Sequence, residues 1–132
     1  MDEYYYEILR KISLSMFRDR LFGIFHGSIS AKIKENQFLI NKKDAIFDSL
    51  DRDDFITLFS KKDYRWQDAS IDSDIHINIY KNIKEAKFVT YATPPYLVAY
   101  TLEHDFILPL DYFGVRKFKR IEIYDPKNYD DW

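Results

Sequence analysis

The sequence predicts a mixed α/β protein in which helices cover a largely antiparallel sheet, and three observations carry that reading. Apolar residues make up 46 % of the 132-residue chain and aromatic residues 18 %, enough for a substantial core. Segments in which apolar residues recur every three to four positions alternate with short runs of β-branched and aromatic residues. A short polar turn, Lys34-Glu35-Asn36-Gln37, joins two of those runs as a hairpin.

In chain order, the opening segment from Asp2 to about Leu21 places Ile8, Ile12 and Met16 at steps of four, with Leu9 and Phe17 widening the stripe. That spacing predicts an amphipathic helix packed by one face. The Tyr4-Tyr5-Tyr6 run falls on this helix and reads as packing. After Gly23 the period changes. Ile29, Ala31 and Ile33 alternate with Ser28, Ser30 and Lys32, the pattern of a half-buried strand, and Phe38-Leu39-Ile40 returns as its partner. Asp44 to Leu50 reads as a short helical turn, and Phe55 to Phe59 as a third strand bounded by acidic and basic pairs. Ile75 to Tyr80 alternates as a strand would, yet Ile75, Ile79 and Ile83 also lie at helical spacing, and Ser70 to Asp74 is rich in helix-starting residues. Lys87 to Ala92 is a β-branched and aromatic strand, followed by Thr93 as N-cap and Pro94-Pro95 opening a helix to about Leu102. Phe106 to Leu108 and Phe118 to Tyr124 read as two further strands. Tyr112, Tyr124, Tyr129 and Trp132 make an aromatic end to the chain, of the kind that docks on its own sheet or on a neighbouring subunit.

Composition narrows the chemistry. With no cysteine there is no disulfide framework, thiolate nucleophile or cysteine-based metal site. The 20 basic and 22 acidic residues leave a net charge of −2, without the positive field of a nucleic-acid binder. Arg116 to Arg120 interleaves cations with Phe118, which fits a strand with Phe118 inward, and nucleic acid is not an expected partner. The acidic N-terminus is unlike a signal peptide, and no apolar run approaches the roughly 20 residues of a membrane span. A single cytoplasmic domain over residues 1–132, with no membrane partner, is the expectation.

Four stretches in fixed order carry a family resemblance. They are His26-Gly27-Ser28-Ile29-Ser30-Ala31, Phe38 to Asp44, Leu50 to Ile56, and Ala69-Ser70-Ile71-Asp72-Ser73-Asp74-Ile75-His76-Ile77-Asn78-Ile79-Tyr80. Their order and spacing over about residues 20–103 resemble the class II aldolase/adducin N-terminal domain family, with its Ser-Gly-Asn-Ile-Ser loop and its Pro-Ser-Ser-Glu-x-x-x-His-x-x-x-Tyr stretch. The resemblance implies a three-layer α/β/α sandwich with a central, mostly antiparallel sheet, and a helix over residues 73–84. It also implies a divalent metal, usually zinc, held by histidines and acting as a Lewis acid, a nearby carboxylate in proton transfer, and sugar-phosphate binding by loop donors in commonly tetrameric enzymes.

Carried over by position, the implied phosphate- and substrate-binding residues are Gly27, Ser28, Lys43 and Ser70. Ser28 stands where the family has Asn, Lys43 and Asp44 replace a Ser/Thr-Gly pair, and Ile71 replaces the second Ser. Asp72 takes the catalytic Glu position with a side chain one methylene shorter, roughly 1.5 Å less reach. Tyr91 and Thr93 stand where the His-x-His metal motif falls, and neither is a common zinc ligand. His76 is the weak candidate for a metal; its plainer role is a buried histidine satisfied by a hydrogen bond. His26 and His104 read as loop residues. The family's enzymes are typically longer, with a further metal histidine beyond the segments matched here. The expectation is therefore a non-catalytic member of the family, binding or oligomerising through a remnant sugar-phosphate pocket, without a cofactor. The alternative is a metal-dependent sugar-phosphate aldolase or epimerase with a rearranged site and Asp72 as acid/base.

Overall fold

The computed structural model describes residues 2–24 and 26–128. It divides into two compact units, residues 1–94 and 95–132.

In the first unit, α1 (Asp2–Arg18) leads into β1 (Ser28–Lys34) and β2 (Gln37–Asn41), then β3 (Phe55–Phe59), α2 (Ser73–Asn82) and β4 (Phe88–Tyr91). The strands form one antiparallel sheet in the order β3-β2-β1-β4. In β1 and β2, Ala31 faces Leu39 and Ser30 faces Ile40; in β1 and β4, Ser28 faces Tyr91 and Ser30 faces Val89. Because side chains alternate along a strand, Ile29, Ala31, Leu39 and Phe55 pack with Leu9 of α1 on one face. Phe38, Ile40 and Leu58 pack with Ile77 and Tyr80 of α2 on the other. The expected three layers, helix, antiparallel sheet and helix, are present.

Burial bears out one of the expected faces, with Ser13 added to it, and corrects another. On α1, Leu9 and Ser13 are the fully buried pair, and Ile12, Met16 and Phe17 flank them. Ser13 Oγ donates to the Phe47 carbonyl at 3.1 Å, which is how a serine sits at the centre of an apolar interface. On α2 the isoleucine stripe is not the inner face: Ile83 is 51 % exposed, while Ser73, His76, Ile77 and Tyr80 are buried. Ser28 and Ser30, the polar positions of a strand expected to be half-buried, are likewise fully buried, because α2 covers them. The helix expected there forms, but it turns polar side chains inward.

Two segments differ outright from expectation. Residues 44–50 form hydrogen-bonded turns instead of a helical turn, with Ala45 N–H donating to the Lys42 carbonyl and Ser49 N–H to that of Ile46. Ala45, Phe47 and Leu50 all enter the core, and their spacing cannot bring all three to one side of a helix. A 3₁₀ turn over Arg52–Asp54, with Asp51 and Asp54 as a reciprocal capping box, leads into β3.

In the second unit, α3 (Pro95–Thr101) and β5 (Phe106–Ile107) lie where expected, except that α3 starts at Pro95 and Thr93 lies two residues before it instead of capping it; Phe118 ends a helix, α4 (Tyr112–Phe118). Only β6 (Ile121–Glu122) is strand, pairing with β5. The start of α4 is set by Asp111, whose carboxylate accepts from Gly114 N–H at 2.8 Å. Arg116 and Lys117 lie in its last turn, where cations complement the helix dipole. The cation-rich run is thus a helix end: Phe118 is 58 % exposed, and Arg120 stacks on Phe106 with its guanidinium 4.0 Å from the ring centre. Tyr112 and Tyr124 are exposed; Tyr129 and Trp132 lie outside the described residues. Among the described residues, no helix is long and apolar enough to cross a membrane.

Candidate functional site

Antiparallel pairing gathers the sequence-predicted residues at one end of the sheet. β1 begins there, β2 and β4 end there, and α2 starts beside them. Gly27 enters β1 with φ of +120°, a region that favours glycine, and a Cβ on it would lie 2.5 Å from Phe22 Cδ1 and 3.0 Å from the Tyr91 carbonyl. The loop can be this tight only without a side chain.

Asn41 ties the start of β1 to the end of β2. Its Oδ1 accepts from Ile29 N–H at 2.8 Å, and its Nδ2 donates to the Lys42 carbonyl at 3.0 Å. Ser70 N–H donates to the Asn41 carbonyl at 2.9 Å, which sets the 69–72 turn against the sheet. Sequence reasoning missed Asn41, because a polar residue closing a strand looks like an ordinary edge. Lys43 is exposed, and its Nζ donates to the Gln67 carbonyl at 2.9 Å. Asp44 is exposed beside it.

The chemistry concentrates on Ser28, Ser30, Asp72, His76 and Tyr80. Ser28 Oγ donates to Asp72 Oδ2 at 2.9 Å and lies 2.7 Å from His76 Nε2. His76 Nδ1 lies 2.7 Å from Ser30 Oγ, which lies 2.8 Å from the Tyr80 hydroxyl. Ser28 and Ser30 are fully buried, and His76 is 1 % exposed. Burial pushes His76 down to about 4, because the imidazolium would be stranded away from water. Burial also pushes the Tyr80 phenol up to about 12, with bonds from Ser30 and the Val89 backbone acting the other way. His76 is therefore neutral at pH 7.

Asp72 is the half-buried end of this cluster. It is the N-cap residue of α2 yet makes no side-chain cap; its carboxylate turns to Ser28 instead. An unused Asp cap forgoes about 1 kcal/mol of helix stability. The turn is held otherwise: Asp72 N–H donates to Ser70 Oγ at 3.3 Å, and Ser73 Oγ donates to the Ser70 carbonyl at 2.6 Å.

The site thus joins Gly27, Ser28, Ser70, Asp72 and His76 through β1, β2 and α2, and places Tyr91 opposite Ser28. Thr93, just beyond β4, is exposed, as is His26. His104 belongs to the second unit, where its Nδ1–H donates to the Tyr100 carbonyl at 2.9 Å. As donors for zinc, these residues do not fit. Among the described residues no three His, Asp or Glu side chains converge. Both His76 nitrogens face serine hydroxyls inside the protein, and Tyr91 and Thr93 offer a phenol and an alcohol where zinc prefers imidazole or carboxylate.

Residues 7–132 match the family described as Class II Aldolase and Adducin N-terminal domain. Among solved structures, the chain is similar to the crystal structure of L-fuculose-1-phosphate aldolase from Thermus thermophilus, with a TM-score of 0.82 and 24 % identity. The match covers 92 % of this chain and 63 % of that one, so the chain spans less than two thirds of that aldolase's length. At this identity the likeness shows the fold. No curated protein matches the chain.

Proposed function

The chain belongs to the class II aldolase and adducin N-terminal domain family, and from that premise we propose that it is a non-catalytic binding domain that keeps a remnant sugar-phosphate site. The observation that carries this reading is the donor set. His76 is closed inside a serine-lined pair of hydrogen bonds, and the positions that would complete a metal centre hold Tyr91 and Thr93.

The ligand class follows from the groups gathered at the sheet end. The constrained Gly27 loop and Ser70 lie close to Asp72, and Lys43 brings an ammonium on a neighbouring loop. A lysine binds phosphate as a point charge, and it has to leave the Gln67 carbonyl to do so. Asp72, an acceptor, suits a sugar hydroxyl. The similar aldolase is named for L-fuculose 1-phosphate, and a phosphorylated sugar is the ligand proposed here. Self-association in the cytoplasm completes the reading. Tyr96, Leu110 and Phe113 of the second unit are 88 %, 96 % and 73 % exposed, apolar side chains of the kind a second copy covers.

The test is a titration of the ¹⁵N-labelled protein, purified without chelator, with L-fuculose 1-phosphate, alongside elemental analysis and an assay for cleavage. The expected result is shifts centred on Gly27, Lys43 and Ser70, substoichiometric zinc and no cleavage. Near-stoichiometric zinc, together with cleavage that Asp72→Asn abolishes in a folded protein, overturns it in favour of an active lyase using Asp72 as acid/base.

A further inference from the structure

We propose that Tyr80, Ser30, His76 and Ser28 form a one-way hydrogen-bond relay that fixes His76 as its Nε2–H tautomer and orients the Asp72 carboxylate. Tyr80 and Ser30 are then positioning residues for a surface group that neither one touches.

The direction follows from counting protons, starting at the surface. An ionised carboxylate only accepts, so the single Ser28 hydroxyl proton goes to Asp72 Oδ2, 2.9 Å away. Ser28 must then accept across its 2.7 Å contact with His76, which puts a proton on Nε2. A neutral imidazole carries one N–H, so Nδ1 is bare and accepts from Ser30 Oγ at 2.7 Å. With its proton used there, Ser30 accepts from the Tyr80 hydroxyl at 2.8 Å. Each donor in the series has one acceptor, and every separation suits a hydrogen bond to oxygen or nitrogen.

The reverse direction is blocked at both ends. It requires a proton on Asp72, and it finishes with the buried Tyr80 O–H turned away from Ser30, its side-chain partner. An imidazolium fails for the same reason at the inner end, because Ser30 would have to turn its proton toward Tyr80. The relay is buried from Tyr80 to Ser28 and reaches the surface only at Asp72, so water does not offer its inner members a substitute partner. The missing side-chain cap on α2 is the counterpart of this arrangement: Asp72 follows Ser28 instead of the helix end.

This inference needs no ligand and stands apart from the binding reading, so either can fail alone. It is tested by two-bond ¹H–¹⁵N imidazole spectra of the full chain at neutral pH. Wild type is expected to show one His76 form, protonated at Nε2 and bare at Nδ1. An Nδ1–H form, or an average of two forms, overturns the relay. Either end alone holds the direction, so Tyr80→Phe and Asp72→Ala are each expected to keep the Nε2–H form, and the double variant, which frees both ends, is expected to show both tautomers. A second tautomer in either single variant, or one unchanged tautomer in the double variant, overturns the proposal. Asp72 is half-buried at a turn, so the wild-type tautomer and its persistence in Asp72→Ala decide the question if the Tyr80 variants do not fold.

Discussion

The two faces of the sheet solve burial in different ways. Against α1, burial is apolar: Leu9, Phe22, Ile29, Ala31, Leu39 and Phe47 close around each other, and the Phe22 and Phe47 rings pack at a 45° tilt with centres 4.6 Å apart. Against α2, the apolar residues Phe38, Ile40, Leu58 and Ile77 surround a polar strip of Ser28, Ser30, His76 and the Tyr80 hydroxyl. No buried side-chain nitrogen or oxygen among the described residues lacks a partner, so the polar face carries no desolvation debt. The first face depends on volume and the second on protons. Their responses to mutation and to pH should therefore separate.

The largest expected effect is on the apolar face. Phe47→Ala empties a fully buried position and should lower stability by about 3–5 kcal/mol, measured by urea unfolding. The His76 tautomer should be unchanged as long as the protein folds. A change of tautomer in that variant would mean that the two faces are not independent.

Next in size is the response of the polar face to acid. The His76 value falls from 6.5 to about 4 on folding, so between those limits the unfolded chain binds a proton that the folded one refuses. Stability from this group is therefore complete above pH 6.5 and is lost as pH falls toward 4, by roughly 3 kcal/mol. Urea unfolding of wild type and His76→Gln across that window measures it. The wild-type curve should fall more steeply, and parallel curves would erase the contrast between the faces.

The smallest effect probes the polar exception on the apolar face. Ser13→Ala removes the hydroxyl that donates to the Phe47 carbonyl and should cost about 1 kcal/mol. Because serine does not titrate, the loss should be the same at pH 7 and pH 5. A loss that grows with acidity would show that α1 senses His76.

Much of the fold was legible in the residues. The three strands of the β1–β3 meander and β4 after Lys87 occur where periodicity and turn residues placed them, and the helix after Ser70, which periodicity left open, occurs where the resemblance placed it. The errors share a cause. Hydrophobic periodicity assumes that polar side chains face water, and it fails wherever polar groups satisfy each other in the interior. It therefore chose the isoleucines of α2 over Ser73, His76 and Tyr80, and it left Ser28 and Ser30 on a solvent face. In the second unit, the Asp111 cap outweighed the strand-like look of Phe118 to Tyr124.

Of the site, the family resemblance supplied Gly27, Ser28, Lys43, Ser70, Asp72 and His76 as candidates. It could not supply Ser30, Tyr80 or Asn41, because their roles depend on contacts between residues 12 to 50 positions apart.

By itself, then, the sequence determined the residue types, the order of the elements and the absence of cysteine chemistry. Through the family resemblance, it also supplied the expectation that Tyr91 and Thr93 replace the metal histidines. Only the tertiary structure decided which polar groups lie inside and in which direction their protons run. A chain records donors and acceptors one at a time, while a hydrogen bond between distant segments exists only once the sheet has paired and α2 has covered it.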